Sequence, residues 1–345
     1  MTDIAAYRDL IAPLRTAMRD GADVRAAMAD LVAPDAVIHM CHPFGDLRGD
    51  RLYEQVFAPL YAAMPDLERR DWIVMSGADD DGAIWVGCGG HYVGSFTSPF
   101  LDIPPTGQLA HMRFHEFYRI ENNQVVEVQA IWDIPELMMQ AGAWPMVPSM
   151  GREFCVTGPM TQDGLRTGQS DPTENDASKQ HVLDMLAHLM RHPKQPAEAM
   201  ELPRFWHEKM IWYGPAGIGT ARGIAGFRNL HQIPFLRAMP DRGQHEDEVS
   251  YHFFADGAYV GVTGWPDMMQ TITGDGWLGI APAGQKVALR SLDFWRLENG
   301  KIRENWVLVD LLHVYDQIGV DVLDRMRALT NPFSMSKQTP PGGPL

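Results

Sequence analysis

The chain has 345 residues, 45% of them hydrophobic, and its 44 acidic residues outweigh 29 basic ones to give a net charge of −15. This size and apolar content suit about two globular domains, and the acidic balance argues against nucleic acid or an anionic membrane as partner. Cys41, Cys88 and Cys155 are too few and too scattered for a disulfide framework or a zinc cage.

Residues 4–19 place Ile4, Leu10, Ile11, Leu14 and Met18 at helical spacing, with Gly21 as the stop. This stretch carries charges throughout, unlike a signal peptide, and no apolar run is long enough to span a membrane. A cytoplasmic setting is expected. Residues 23–32 read as a second short helix, 37–40 as a brief strand, and 50–64 as a third helix ended by Pro65. Strand-like runs follow at 71–75, 83–96, 109–120 and 124–132. Glu121-Asn122-Asn123 joins the last two as a hairpin turn, and a short helix over 135–141 is stopped by Gly142.

Residues 151–176 are polar, rich in Gly, Thr, Ser and Asp, and read as a linker. A helical run then extends from about Ala177 to Arg191, a second helix follows Pro196, and residues 209–213 match the brief strand. Glu298-Asn299-Gly300 is a strong type I′ hairpin signal, and a helix over 311–318 is stopped by Gly319. The tail, 330–345, reads as loose or as an extended arm.

The two halves are copies. Residues 107–142 align with 284–319 at one constant offset without a gap, and eleven of the 36 positions are identical, among them Arg113/Arg290, Phe117/Phe294, Glu127/Glu304 and Asp133/Asp310. The unit is too long for a solenoid repeat, so this is domain duplication. Helices followed by antiparallel strands predict an α+β fold in each copy. The expected domains are 1–150 and 177–329, packed face to face as an intrachain pseudo-dimer; whether the chain pairs again as a homodimer stays open. A curved sheet wrapped around its helices, as a cone or an α+β barrel, would enclose a cavity.

In copy two, Gly284-Gln285-Lys286-Val287, Arg290, Asp293-Phe294-Trp295-Arg296, Asn299-Gly300-Lys301-Ile302, Glu304, Trp306, Asp310 and Gln317-Ile318-Gly319 resemble the SnoaL-like polyketide cyclases of the NTF2-like superfamily. Copy one keeps Glu127, Asp133, Gln140 and Gly142 but has Gln129 at the tryptophan position; its 39–49 segment is also similar to the family. The resemblance implies two tandem NTF2-like cones. It also implies a cofactor-independent, metal-free intramolecular aldol closure or related isomerase or lyase chemistry, with Asp310 and Asp133 as acid–base groups.

Such chemistry needs a base beside a carbonyl and donors for the enolate oxygen. Asp310 and Asp133 follow apolar strands, where desolvation would raise their pKa. Both also fit as helix N-caps, Asp133 within a capping box reaching Glu136, and one carboxylate can do both jobs. His39, His111 and His115 are candidate catalytic partners. His111, Arg113, His115 and Phe117 share one strand face, which holds donors if it lines the cone. Candidate substrate-binding groups are Trp306, Trp212, Tyr213, Trp265, His91, His42, Arg113 and Arg290. For the two arginines the alternative is an ion pair with Glu127 and Glu304. His39, His42 and Asp133 form only a weak metal pattern, and no metal is expected. The expected ligand is a small hydrophobic carbonyl compound. The rival reading is a non-catalytic binding or assembly module.

Overall fold

The computed structural model describes residues 4–282 and 284–331; the expected arm lies, from residue 332 on, outside the described residues. In the first half α1 (Ala6–Asp20) and α2 (Val24–Leu31) precede β1 (Val32–Met40) and β2 (Gly45–Arg48). α1 turns Ile11, Leu14, Ala17 and Met18 inward and ends at Gly21, whose φ of +67° is the left-handed cap that glycine adopts without strain. A helical run ending in α3 (Ala58–Ala63) leads to β3 (Glu68–Ala78), β4 (Ile84–Ser95), β5 (Leu109–Glu121), β6 (Gln124–Trp132) and α4 (Ile134–Gln140).

The second half repeats this order. α5 (Pro172–Leu189) and α6 (Leu202–Phe205) precede β7 (Trp206–Tyr213), β8 (Ala221–Arg222), α7 (Gly223–Phe227) and α8 (Ile233–Ala238). Then come β9 (His252–Asp256), β10 (Tyr259–Thr263), β11 (Met268–Thr271), β12 (Lys286–Leu289), β13 (Ser291–Glu298) and β14 (Lys301–Val309), closed by α9 (Leu311–Gln317) and α10 (Val322–Thr330). α5 starts several residues before the apolar periodicity does, because Asp171 caps it through the Thr173 amide and Pro172 fits its first turn. No described helix is long and apolar enough to cross a membrane.

The two six-stranded sheets are the same object twice, ordered β2-β1-β6-β5-β4-β3 and β8-β7-β14-β13-β10-β9, with β1/β6 and β7/β14 parallel and the remaining pairs antiparallel; β11 and β12 pair as a separate antiparallel ribbon. The fold is α+β with two tandem domains, and neither sheet closes into a barrel among the described residues. Both hairpin turns have the positive φ pair that type I′ requires: +50° and +61° at Asn122 and Asn123, +51° and +70° at Asn299 and Gly300. In each copy a π-turn (Tyr53–Phe57, Arg228–Gln232) precedes a proline, Pro59 or Pro234, which has no N–H to continue the α ladder.

One face of each sheet carries its helices and the other packs on its counterpart. Phe117 of β5 stacks on its repeat equivalent Phe294 of β13 with centroids 4.9 Å apart. The sheets approach closely enough that a Cβ on Gly87 would come within 2.9 Å of the Phe294 ring, which makes glycine necessary there.

Candidate active site

His111, Arg113, His115 and Phe117 do share a face, but it meets the second domain rather than the cone. Arg113, 1% exposed, donates to the carbonyl oxygens of Tyr213 (3.1 Å), Gly214 (2.7 Å) and Val307 (3.2 Å) and to Asp133 Oδ2 (3.3 Å). Asp133 Oδ2 also accepts the Ala216 amide at 2.9 Å. Burial pushes the Asp133 carboxyl up to about 7, against the pull of Arg113. The expected capping box does not form: Asp133 makes no side-chain cap bond, and Glu136 instead accepts the Arg113 amide at 2.7 Å. His111 lies 3.2 Å from Glu136; burial opposes its charged form, but Glu136 outweighs this and raises the pKa. His115 places Nδ1 2.6 Å from the Leu292 carbonyl.

The second copy mirrors this cluster. Asp310 caps α9 through the His313 amide (3.2 Å), accepts the His42 amide (2.9 Å) and lies 3.4 Å from Arg290. Arg290 sits over Trp265, which stacks on His39. Trp306 is fully buried between Tyr213 and Trp72 and donates to the Thr157 carbonyl. The ion pairs suggested for Arg113 and Arg290 go elsewhere. Glu127 and Glu304 bond Arg119 and Arg296, which stand directly opposite them in the ladder.

The two cones differ. In the first, Glu116 points inward and is saturated: it pairs with Arg69 (2.5 Å) and accepts from Tyr92 (2.8 Å), Trp132 (2.9 Å) and Tyr118. Phe57 packs on Trp132 and Tyr92, and the remaining void, about 10 Å³, is too small for an organic ligand.

The repeat places Asp293 where copy one has Glu116. Phe114 is replaced by Ser291 and Trp132 by Val309. These smaller side chains help leave a cavity of about 400 Å³, lined by apolar groups including Trp212, Phe235, Trp277, Trp295 and Met269. Two carboxylates face it. Asp267 Oδ1 accepts the Ser291 amide at 2.9 Å, and Asp293 Oδ1 accepts the Ser291 hydroxyl at 2.6 Å. Burial pushes Asp293 up to about 7; burial and then the charge of Asp293 hold Asp267 well above the usual carboxylate range. His231 stacks on Trp212 (4.1 Å, 14°), and burial pushes it down to about 3, so it is neutral. Buried polar atoms of the lining, His231 Nδ1, Gln232 Nε2, Gln270 Oε1, Trp277 Nε1 and Trp295 Nε1, have no hydrogen-bond partner among the described residues.

Of the site residues expected from sequence, Trp212 alone lines this cavity. Asp293 and Asp267 escaped the sequence reading. A signal existed for Asp293: an acid recurs at its position in both copies, on the strand face opposite Arg290 and Phe294. Asp267 has no such mark.

Among the described residues His91, His111 and Cys155 bring ligand atoms within 4.8 Å of one another. His91 Nδ1 accepts from Trp72 Nε1 at 3.2 Å, which puts the neutral ring's proton on Nε2 and leaves that nitrogen without a lone pair for a metal.

Comparison with known proteins settles the lineage. The sequence profile of the SnoaL-like polyketide cyclases matches residues 13–141 and again 184–318. The chain belongs to the SnoaL-like polyketide cyclase family. Solved structures similar to it include AclR, a candidate hydroxylase from Streptomyces galilaeus, at 19% identity over 42% of this chain and 86% of that one, TM-score 0.36. Wild-type IdmH, a candidate polyketide cyclase from Streptomyces antibioticus, is 25% identical over 39% of this chain and 98% of its own, TM-score 0.33. A candidate SnoaL-like polyketide cyclase from Jannaschia sp. CCS1 is 20% identical over 40% and 94%, TM-score 0.35. No curated protein matches the chain. In this SnoaL-like chain both aspartates of the repeated motif are bound by an amide of the opposite copy.

Proposed function

We propose that the protein is a cofactor-independent acid–base enzyme whose second cone binds a small hydrophobic carbonyl compound and forms its enolate. The observation that supports this most is the pair Asp293 and Asp267 at an apolar cavity of a size suited to a small organic ligand. Burial raises both, and the charge of Asp293 raises Asp267 further, the kind of coupling that gives two carboxyls different acid–base roles. Asp293, held near neutrality, takes a proton from carbon next to the substrate carbonyl. Asp267, whose raised pKa favours the protonated form, donates to the developing enolate oxygen; Ser291 occupies only its Oδ1 among the described residues. The indoles hold the flat body of the substrate. The enolate then closes a ring by aldol addition or is reprotonated elsewhere, giving cyclase or isomerase chemistry. The first domain serves as scaffold, and Asp133 and Asp310 join the domains.

The test is proton exchange. Wild-type protein in D₂O should wash deuterium into the α-carbon of a bicyclic ketone such as 2-tetralone, and Asp293→Asn should abolish this while leaving the fold intact. Loss on Asp310→Asn instead would move the acid–base group to the domain interface. Binding of the ketones without exchange would favour a non-catalytic binding module.

A further inference from the structure

The cavity lining carries a further charged group. Arg242 follows α8 and lines the cavity together with His231, Gln232 and His245. Burial lowers its pKa to about 10, so the guanidinium stays charged at neutral pH, and its charge helps keep His231 neutral. Arg242 is half-buried, and a cation withdrawn this far from water is normally paired. Arg242 has no carboxylate partner among the described residues, although acids surround it in sequence. Asp241 accepts the Thr271 amide (2.9 and 3.0 Å) and faces His245 at 3.3 Å. Glu248 is taken by Lys286 and faces His245 at 3.3 Å. Asp267 and Asp293 are tied to Ser291, and Arg242 is not among the charges that shift either of them. Gln232, also in the lining, accepts from Arg228 at Oε1 and leaves Nε2 without an acceptor among the described residues.

We infer that Arg242, with Gln232 Nε2, forms an anion subsite, so that the ligand of this cavity is an aromatic or polycyclic compound bearing a carboxylate or an equivalent anionic group. A guanidinium has a planar set of donors that matches a carboxylate, and a desolvated unpaired one gains most from such a partner. The lining therefore carries an acid pair for reaction and a guanidinium for anchoring, together with the indoles of Trp212, Trp277 and Trp295. The inference rests on the cavity being the ligand site, but not on Asp293 acting as a base.

Two isosteric probes separate the two ideas: 2-naphthoate, which is anionic, and 2-acetylnaphthalene, which is neutral. Calorimetry on the full chain should show 2-naphthoate binding at least about tenfold tighter. Arg242→Gln should erase that preference by weakening 2-naphthoate alone, and Arg242→Lys should retain part of it. Asp293→Asn should keep the preference even though it abolishes α-exchange, so a failure of the acid–base reading is recognised separately. 2-Naphthoate should also displace 2-acetylnaphthalene competitively. Equal affinity for the two probes, an equal loss of both in Arg242→Gln, or binding without competition would each overturn the anion subsite.

Discussion

The Ala216 amide donates to Asp133 Oδ2 at 2.9 Å, and across the pseudo-symmetric interface the His42 amide donates to Asp310 Oδ2 at the same distance. The two donors occupy equivalent places. His42 lies three residues beyond His39, which pairs with Gln129, and Ala216 lies three beyond Tyr213, which pairs with Trp306. Each domain thus lends an amide to the other's motif aspartate. Asp310→Ala should remove both this bond and the α9 cap, costing about 1–3 kcal/mol. Asp310→Asn should cost less, since its one oxygen still accepts. Urea unfolding with a fitted slope checks both; no change in the midpoint for the alanine variant would contradict the interface role.

Stability should fall as pH rises through the neutral range. Asp133 and Asp293 both have folded-state values near 7, well above the 3.8 of a free aspartate. Between about pH 4 and 7 the folded chain therefore binds more protons than the unfolded one. The slope of unfolding free energy with pH is negative there, and these two groups add no further slope above about 8. Asp133→Asn and Asp293→Asn should each flatten part of this decline in thermal melts taken across pH 4–8. If both variants keep the wild-type slope, the burial of these carboxyls is not what sets it.

Glu116 and Asp293 hold one repeat position, yet the same neutralisation should act oppositely on them. Glu116→Gln removes one of the two carboxylates paired with the fully buried Arg69, leaving Asp71, and should cost about 1.5–3 kcal/mol. Asp293→Asn removes a desolvated carboxylate with no ion-pair partner among the described residues. Above about pH 8 it should be neutral or stabilising. Equal destabilisation by both at pH 8 would show that Asp293 is structural.

Copy one also shows how to close the other cone. Ser291→Phe combined with Val309→Trp installs the residues of positions 114 and 132 in the second domain. The double variant should stay folded, with at most about 1–3 kcal/mol of strain, and should lose binding of 2-acetylnaphthalene. Binding that survives would place the ligand site outside this cavity.

Repetition made the fold legible. The constant offset, the helix-then-strand order and the Asn-Gly turn lead to two α+β cones, and the turn dihedrals and sheet orders agree. The orientation of β5 was not legible. Alternation shows that His111, Arg113 and His115 share a face, but it cannot say whether that face meets a cone or another sheet, because both demand buried side chains. The polar residues of the duplicated motif therefore drew attention to the interface. The cavity carboxylates stayed hidden for the opposite reason: Asp293 is one acid within an ordinary-looking strand, and what sets it apart is the loss of bulk at Ser291 and Val309, which only packing reveals.

Two identical chains meeting through the Phe117–Phe294 contact would have to fill both cones or neither, since any side chain closing one would close its twin. Carrying both copies on one chain removes that constraint. Trp132 can seal one cone while Val309 keeps the other open, so a ligand should saturate at one molecule per 345-residue chain.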